Sequence, residues 1–135
     1  LVSPLLAQNG PSKIGNLTKA EFEKWIKPLT LDGHKFAGFD HEEDSFQAGF
    51  LKGESAISIN VRLDDGKTKE DMMKMANYKS YDKKGLKHYY LDMGGMKTIM
   101  VVLPKLKVLF GIGGFGSFGR EQLDKMLDQI KIYDK

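Results

Sequence analysis

The stretch from Tyr89 to Leu103, YYLDMGGMKTIMVVL, decides the fold. Tyr89, Leu91 and Met93 fall on alternate positions, so an extended chain carries all three on one apolar face. Gly94-Gly95 follows at once, and two glycines between such runs signal a two-residue hairpin, because both accept the positive φ of a tight turn. Met96–Leu103 is then the returning strand. Pro104-Lys105 turns the chain again, into Leu106–Ile112. Strands joined this closely run antiparallel, since a parallel neighbour needs a long crossover.

Downstream, Leu123, Met126, Leu127 and Ile130 recur at helical spacing within Arg120–Tyr133, and Tyr133 adds another turn. This is the stripe of an amphipathic helix, and the strands before it offer a surface to cover. Upstream, Ile57, Ile59, Val61 and Leu63 alternate with Ser58, Asn60 and Arg62, giving a strand with one buried and one wet face. Gly53-Glu54 turns into it and Asp64-Asp65-Gly66 ends it. Phe46–Phe50 and Lys35–Phe39 are further strand candidates. Thr68-Lys69-Glu70-Asp71 opens a second helix by the logic of an N-cap, with Met72, Met75, Ala76 and Lys79 on its inner face and Asp82–Gly85 as its breaker.

Nearer the start, Thr18-Lys19-Ala20-Glu21 fits a capping box, in which the threonine caps the third amide and the glutamate reaches back. Phe22, Trp25, Ile26 and Leu29 follow at helical spacing and Pro28 stops the helix. Trp25 is expected in the core. Residues 8–17 read as linker, so the chain is expected to be a flexible segment over 1–17 and a single α+β domain over 18–135. Its antiparallel sheet has about five to six strands, with the helices together on one face and the C-terminal helix closing it.

The 135 residues suffice for one core, and 41% hydrophobic with 29% charged residues is ordinary globular composition. The net charge of +3 is mild. The lysine excess lies in residues 67–107, while the first fifty residues run acidic. Arginine occurs only as Arg62 and Arg120, which speaks against nucleic acid as a partner, since its readers rely on arginine forks. The absence of cysteine excludes disulfides, thiolate metal sites and thiol nucleophiles. No apolar run is long enough to span a bilayer. Leu1–Ala7, LVSPLLA, looks like the tail of a secretory apolar region, with small Ala7 at the cleavage position. On that reading the protein is exported, to a periplasm or cell envelope; otherwise the segment is a flexible arm.

The sharpest motif is Gly111-Ile112-Gly113-Gly114-Phe115-Gly116, formally G-x-G-x-x-G after a strand and before a helix. A dinucleotide site needs a βαβ unit with an acidic residue after the second strand, and no strand follows here. Gly111–Gly119 therefore reads as a flexible connection. Its aromatics Phe115 and Phe118, with Gly113 and Gly114, are the candidate ligand or partner contacts. Asp40–Asp44 gathers oxygen ligands but lacks the spacing of a calcium loop, and reads as a solvated turn. His34, His41 and His88 have no zinc spacing, no nucleophile motif is present, and the methionines around Met93, Met96 and Met100 suit core filling better than copper. Catalytic residues, metal sites and cofactors are expected to be none.

The series Ser55–Leu63, helix, Tyr89–Met93, Met96–Leu103, Leu106–Ile112 and Leu123–Tyr133 resembles the small PsbP-like exported bacterial domains, in which the last strand also leads through a loop into a final amphipathic helix. The resemblance is one of pattern, over about residues 30–133, and it implies an accessory or protein-binding role. The expected function is a non-enzymatic, exported accessory or interaction domain whose partner is another envelope protein. The alternative is an apolar-ligand-binding domain with a pocket between the sheet and the Gly-rich segment.

Overall fold

The computed structural model describes residues 10–74, 77–115 and 118–135. The chain opens with a two-stranded ribbon, β1 (Lys13–Ile14) and β2 (Leu17–Thr18), and α1 (Lys19–Ile26) starts directly from it. The capping box is formed: Thr18 Oγ1 accepts from the Glu21 amide at 3.1 Å, and the Thr18 amide donates to Glu21 Oε1 at 2.9 Å. Residues 10–17 are not the free linker their composition suggested. Ile14 and Leu17 are buried, and Asn16 donates its backbone N–H to Leu106.

Eight strands then build one antiparallel sheet: β3 (Thr30–Leu31), β4 (His34–Phe39), β5 (Ser45–Lys52), β6 (Ser55–Leu63), β7 (Asn77–Lys83), β8 (Leu86–Met93), β9 (Met96–Leu103) and β10 (Val108–Phe115). The spatial order is β3-β4-β5-β6-β10-β9-β8-β7. The sheet is thus two four-stranded meanders, each ending on a strand at the centre, where β6 and β10 pair. α2 (Gly66–Lys74) links the two halves, and α3 (Arg120–Ile130) with a 3₁₀ turn at Ile132–Asp134 ends the chain.

The register explains which side chains meet. On one face Phe46, Val61, Phe110 and Val101 form a row across four strands, with Ala48, Ile59, Ile112 and Ile99 beside it. All are buried, together with Phe22 and Ile26 of α1 and Leu123, Met126, Leu127 and Ile130 of α3. The final helix therefore buries its apolar stripe, but it shares the face with α1 instead of closing the sheet alone. The opposite, outer face carries a smaller cluster of Tyr89, Leu91, Met100 and Leu109, against which Met73 of α2 packs. The helices are accordingly not all on one side.

Three further expectations need correction. The main sheet has eight strands among the described residues, not five or six. Lys79 lies in β7, not on a helix: Asn77–Lys83 pairs with β8 along its whole length, from Asn77↔Asp92 to Lys83↔Leu86. As a mostly exposed edge strand, β7 lacks apolar alternation, and its lysines discourage pairing with a second chain. The Gly-rich stretch is not a flexible connection as far as Phe115, because β10 is hydrogen-bonded on both sides, to β6 and β9. Leu1–Asn9, Met75, Ala76, Gly116, Ser117 and the side chains of Thr68, Met72 and Met93 lie outside the described residues, and with them the expected Thr68 cap.

Candidate functional site

Alternation along β10 sends its glycines to different faces. Gly111 and Gly113 face outward with Phe115, while Gly114 faces the helices. A β-carbon on Gly114 would sit 2.5 Å from the Phe118 ring and 3.0 Å from Ile57 Cδ1, so the Phe118 ring takes up the space that a side chain at 114 would need. Phe118 is half-buried against the main core, with its ring 5.6 Å from His34. Phe115, three residues earlier, is 67% exposed. The two aromatics named as a pair from sequence are thus separated, one in the core and one at the surface.

Phe115 is one wall of a groove of about 250 Å³ on the outer face. Leu51, itself 50% exposed, is another. Gly49, Ala56, Ser58 and Gly113 are among the residues between them, and no charged side chain lines it among the described residues. Three of the four contact residues expected from sequence, Gly113, Gly114 and Phe115, line this groove; Phe118 does not.

One polar atom beside the groove is unsatisfied. Gly49, Ser58, Gly113 and Thr98 form a continuous row across β5, β6, β10 and β9. Thr98 is 8% exposed, and its hydroxyl is buried without a hydrogen-bond partner among the described residues. A β-carbon on Gly113 would lie 2.7 Å from Thr98 Oγ1 and 2.9 Å from Met96 Cε, so both atoms lean over the bare glycine. Burying a hydroxyl unpaired is costly, which makes this one unusual.

A larger cavity, about 780 Å³, opens on the helix-bearing face between residues of β7 and β8 and the start of α3. Lys79, Tyr90, Asp92, Arg120 and Gln122 are among its lining residues. Asp92 is held below the ordinary carboxylate range by hydrogen bonds from Lys97, at 2.6 Å, and from the Gly94 amide. Next to the cavity, a polar network fastens α3 to the sheet edge. The Tyr81 hydroxyl donates to Asp124 Oδ1 at 3.2 Å, Lys83 reaches Asp128 at 3.4 Å, and the Arg120 guanidinium lies 4.5 Å over the Tyr81 ring. Burial pushes the Tyr81 hydroxyl pKa far up, and the Asp124 charge and hydrogen bond add to it. Burial also lowers His88 below its usual value, so the ring is neutral near pH 7. Its Nδ1 lies 2.9 Å from the Leu86 carbonyl and must carry the proton, leaving Nε2 to accept from the Tyr133 hydroxyl at 2.9 Å. Burial works to lower the Lys83 pKa, but Tyr133, Asp124 and Asp128 outweigh it and the net shift is upward.

The remaining expected residues are dispersed. His41 pairs with Glu23 at 2.8 Å and Asp44 with Arg62 at 3.1 Å, which divides the 40–44 cluster between two partners. Among the described residues no three His, Asp or Glu side chains gather as a metal site. Nothing in the spacing of the chain signals that Ser55 Oγ meets His34 Nε2 at 2.8 Å. There His34 Nδ1 faces the Leu31 carbonyl at 2.9 Å. Neither residue lines either cavity, and the pair pins the β3–β4 turn to the start of β6. No helix among the described residues is long and apolar enough to cross a membrane. Comparison of the chain with protein-family models, curated proteins and solved structures finds no match in any of the three.

Proposed function

We propose that the protein is a non-enzymatic accessory domain that captures a small apolar group in the groove over Gly113. The observation that carries this reading is the pairing of two exposed large hydrophobics, Phe115 and Leu51, across a floor that includes two glycines and an alanine. Scattered single hydrophobics on a surface mean little, but two that flank a concave apolar floor form a contact site. The size limits the guest. A dry cavity of about 150 Å³ is enough for benzene, whereas drug-sized ligands occupy roughly 300–1,000 Å³. A groove of about 250 Å³ therefore takes one ring or a short acyl group, not a nucleotide-sized cofactor. Toluene titrated into ¹⁵N-labelled protein is expected to shift the Gly49 and Gly113 amides saturably, and Phe115→Ala to abolish this with the melting temperature unchanged. Absence of a saturable shift overturns the reading.

A second reading is favoured by the larger cavity, whose volume of about 780 Å³ suits a whole small molecule. It makes Lys79, Tyr90 and Arg120 the contacts, and it predicts that a ligand co-purifying with the protein is lost in Tyr90→Ala and retained in Phe115→Ala.

A further inference from the structure

The structure assigns the Thr98 hydroxyl as the polar recognition group of the groove, and a neutral ring-sized molecule bearing one hydroxyl, of the phenol class, as its ligand. This inference rests on the groove being a binding site and goes on to specify what the groove selects. Three observations on the outer face support it independently of the exposed aromatics. Thr98 Oγ1 is buried and lacks a partner among the described residues. It leans over Gly113, which lines the groove. What covers that glycine alongside it is the ε-methyl group of Met96, the far end of a flexible side chain on a half-buried residue.

A hydroxyl in this position has two lone pairs and one proton to satisfy, and the described residues supply no partner. A ligand hydroxyl arriving over Gly113 can donate to it or accept from it. The missing β-carbon is what makes the approach possible, since any side chain at position 113 would fill the space. Met96 has to give way, and methionine does so at low cost because it is unbranched and has several rotatable bonds. In the free protein its methyl group stands where the ligand would lie. The lining carries no charged side chain among the described residues, so an ionised head group would be desolvated there without a counter-ion. The ligand is therefore neutral. Ser58, next to Gly113 in the same row on the other side, offers a second hydroxyl to a ligand reaching across the strand.

The test compares p-cresol, toluene and benzoate as probes on protein labelled with ¹³C at the methionine methyl groups, the Met96 signal being assigned through Met96→Leu. The expected result is that p-cresol displaces the Met96 signal saturably and binds about three- to tenfold tighter than toluene, the gain of one hydrogen bond. Thr98→Val should erase that advantage while leaving toluene unchanged, Thr98→Ser should keep it, and benzoate should bind no better than toluene. Equal affinity for p-cresol and toluene in the unmodified protein overturns the role of Thr98 while the groove stands as a site. Failure of both rings to bind removes the groove itself, and a preference for benzoate overturns the neutral class.

Discussion

The indole N–H of Trp25 donates to the carbonyl oxygen of Ile130 at 2.8 Å, tying α1 to the last turn of α3 across 105 residues of chain. The carbonyls of a final helical turn have no partner within the helix, so this bond satisfies one that would otherwise depend on solvent. The ring also packs on Phe110 at 5.3 Å. Trp25→Phe should keep most of the packing and lose the bond. We expect a destabilisation of about 1–2 kcal/mol, measured as a lower urea midpoint with an unchanged m-value.

Gly114 and Gly111 give a matched pair of substitutions in one strand. A β-carbon on Gly114 meets the Phe118 ring at 2.5 Å, while on Gly111 the nearest atom, the Asn60 carbonyl oxygen, is 3.6 Å away. Gly114→Ala should cost roughly 1–3 kcal/mol through overpacking. Gly111→Ala should be tolerated, and a loss at Gly111 as large as at Gly114 would contradict the register. Thermal unfolding of the two variants side by side is sufficient.

Thr98→Val should make the ligand-free protein more stable. The change keeps the branched shape and removes a buried hydroxyl that has no partner among the described residues, so the gain is about 1 kcal/mol, at the low end of the cost of burying such a group. An increase in the denaturation midpoint is expected; a decrease would show that the hydroxyl is satisfied in solution.

His88 sets a pH dependence of known sign. Burial holds its pKa below the ordinary 6.5, so on acidification the unfolded chain takes up a proton before the folded one. The stability this contributes is complete above about pH 6.5 and is lost as pH falls through the lowered folded value. In His88→Gln that loss is absent, and the other histidines are common to both proteins. The stability difference between the unmodified protein and His88→Gln should therefore narrow between pH 7.5 and pH 5 in urea titrations.

What sequence made visible follows the depth of each element. Ile57–Val61 and Leu123–Ile130 bury one face, so their apolar residues repeat at the period of a strand or helix, whereas Met96–Leu103, buried on both faces at its centre, reads as a near-continuous apolar run after the Gly94-Gly95 turn. β7 was hidden because both its faces are largely wet and its alternation vanishes; Tyr78, Ser80 and Asp82 share one face, but only through pairing with β8. The capping motif at Thr68 pointed to a real helix, yet α2 starts at Gly66 and ends at Lys74. The glycines of β10 misled for another reason. Glycine weakens a strand locally, but a central strand is held by two ladders of backbone bonds, and here the neighbours' side chains fill the vacated space. Phe115 and Gly113 stood out in the sequence as an aromatic beside glycines, and both line the outer groove. Thr98 was not, since nothing in a threonine between Lys97 and Ile99 shows that its hydroxyl lacks a partner.

The pairing of β6 with β10 has a consequence for the newly synthesised chain. Each meander can zip together hairpin by hairpin, whereas matches such as Leu63↔Val108 and Ile57↔Gly114 must wait for the second half of the polypeptide. Until then β6, with Ile57, Ile59 and Val61, is an open border, and β10 emerges as VLFGIGGF without a single charge. Such a segment is prone to pair with a copy of itself on a neighbouring molecule. The finished sheet has Lys79 and Lys83 on β7, at one outer margin. The hazard during folding lies instead at the seam, which is protected only once the two halves have met.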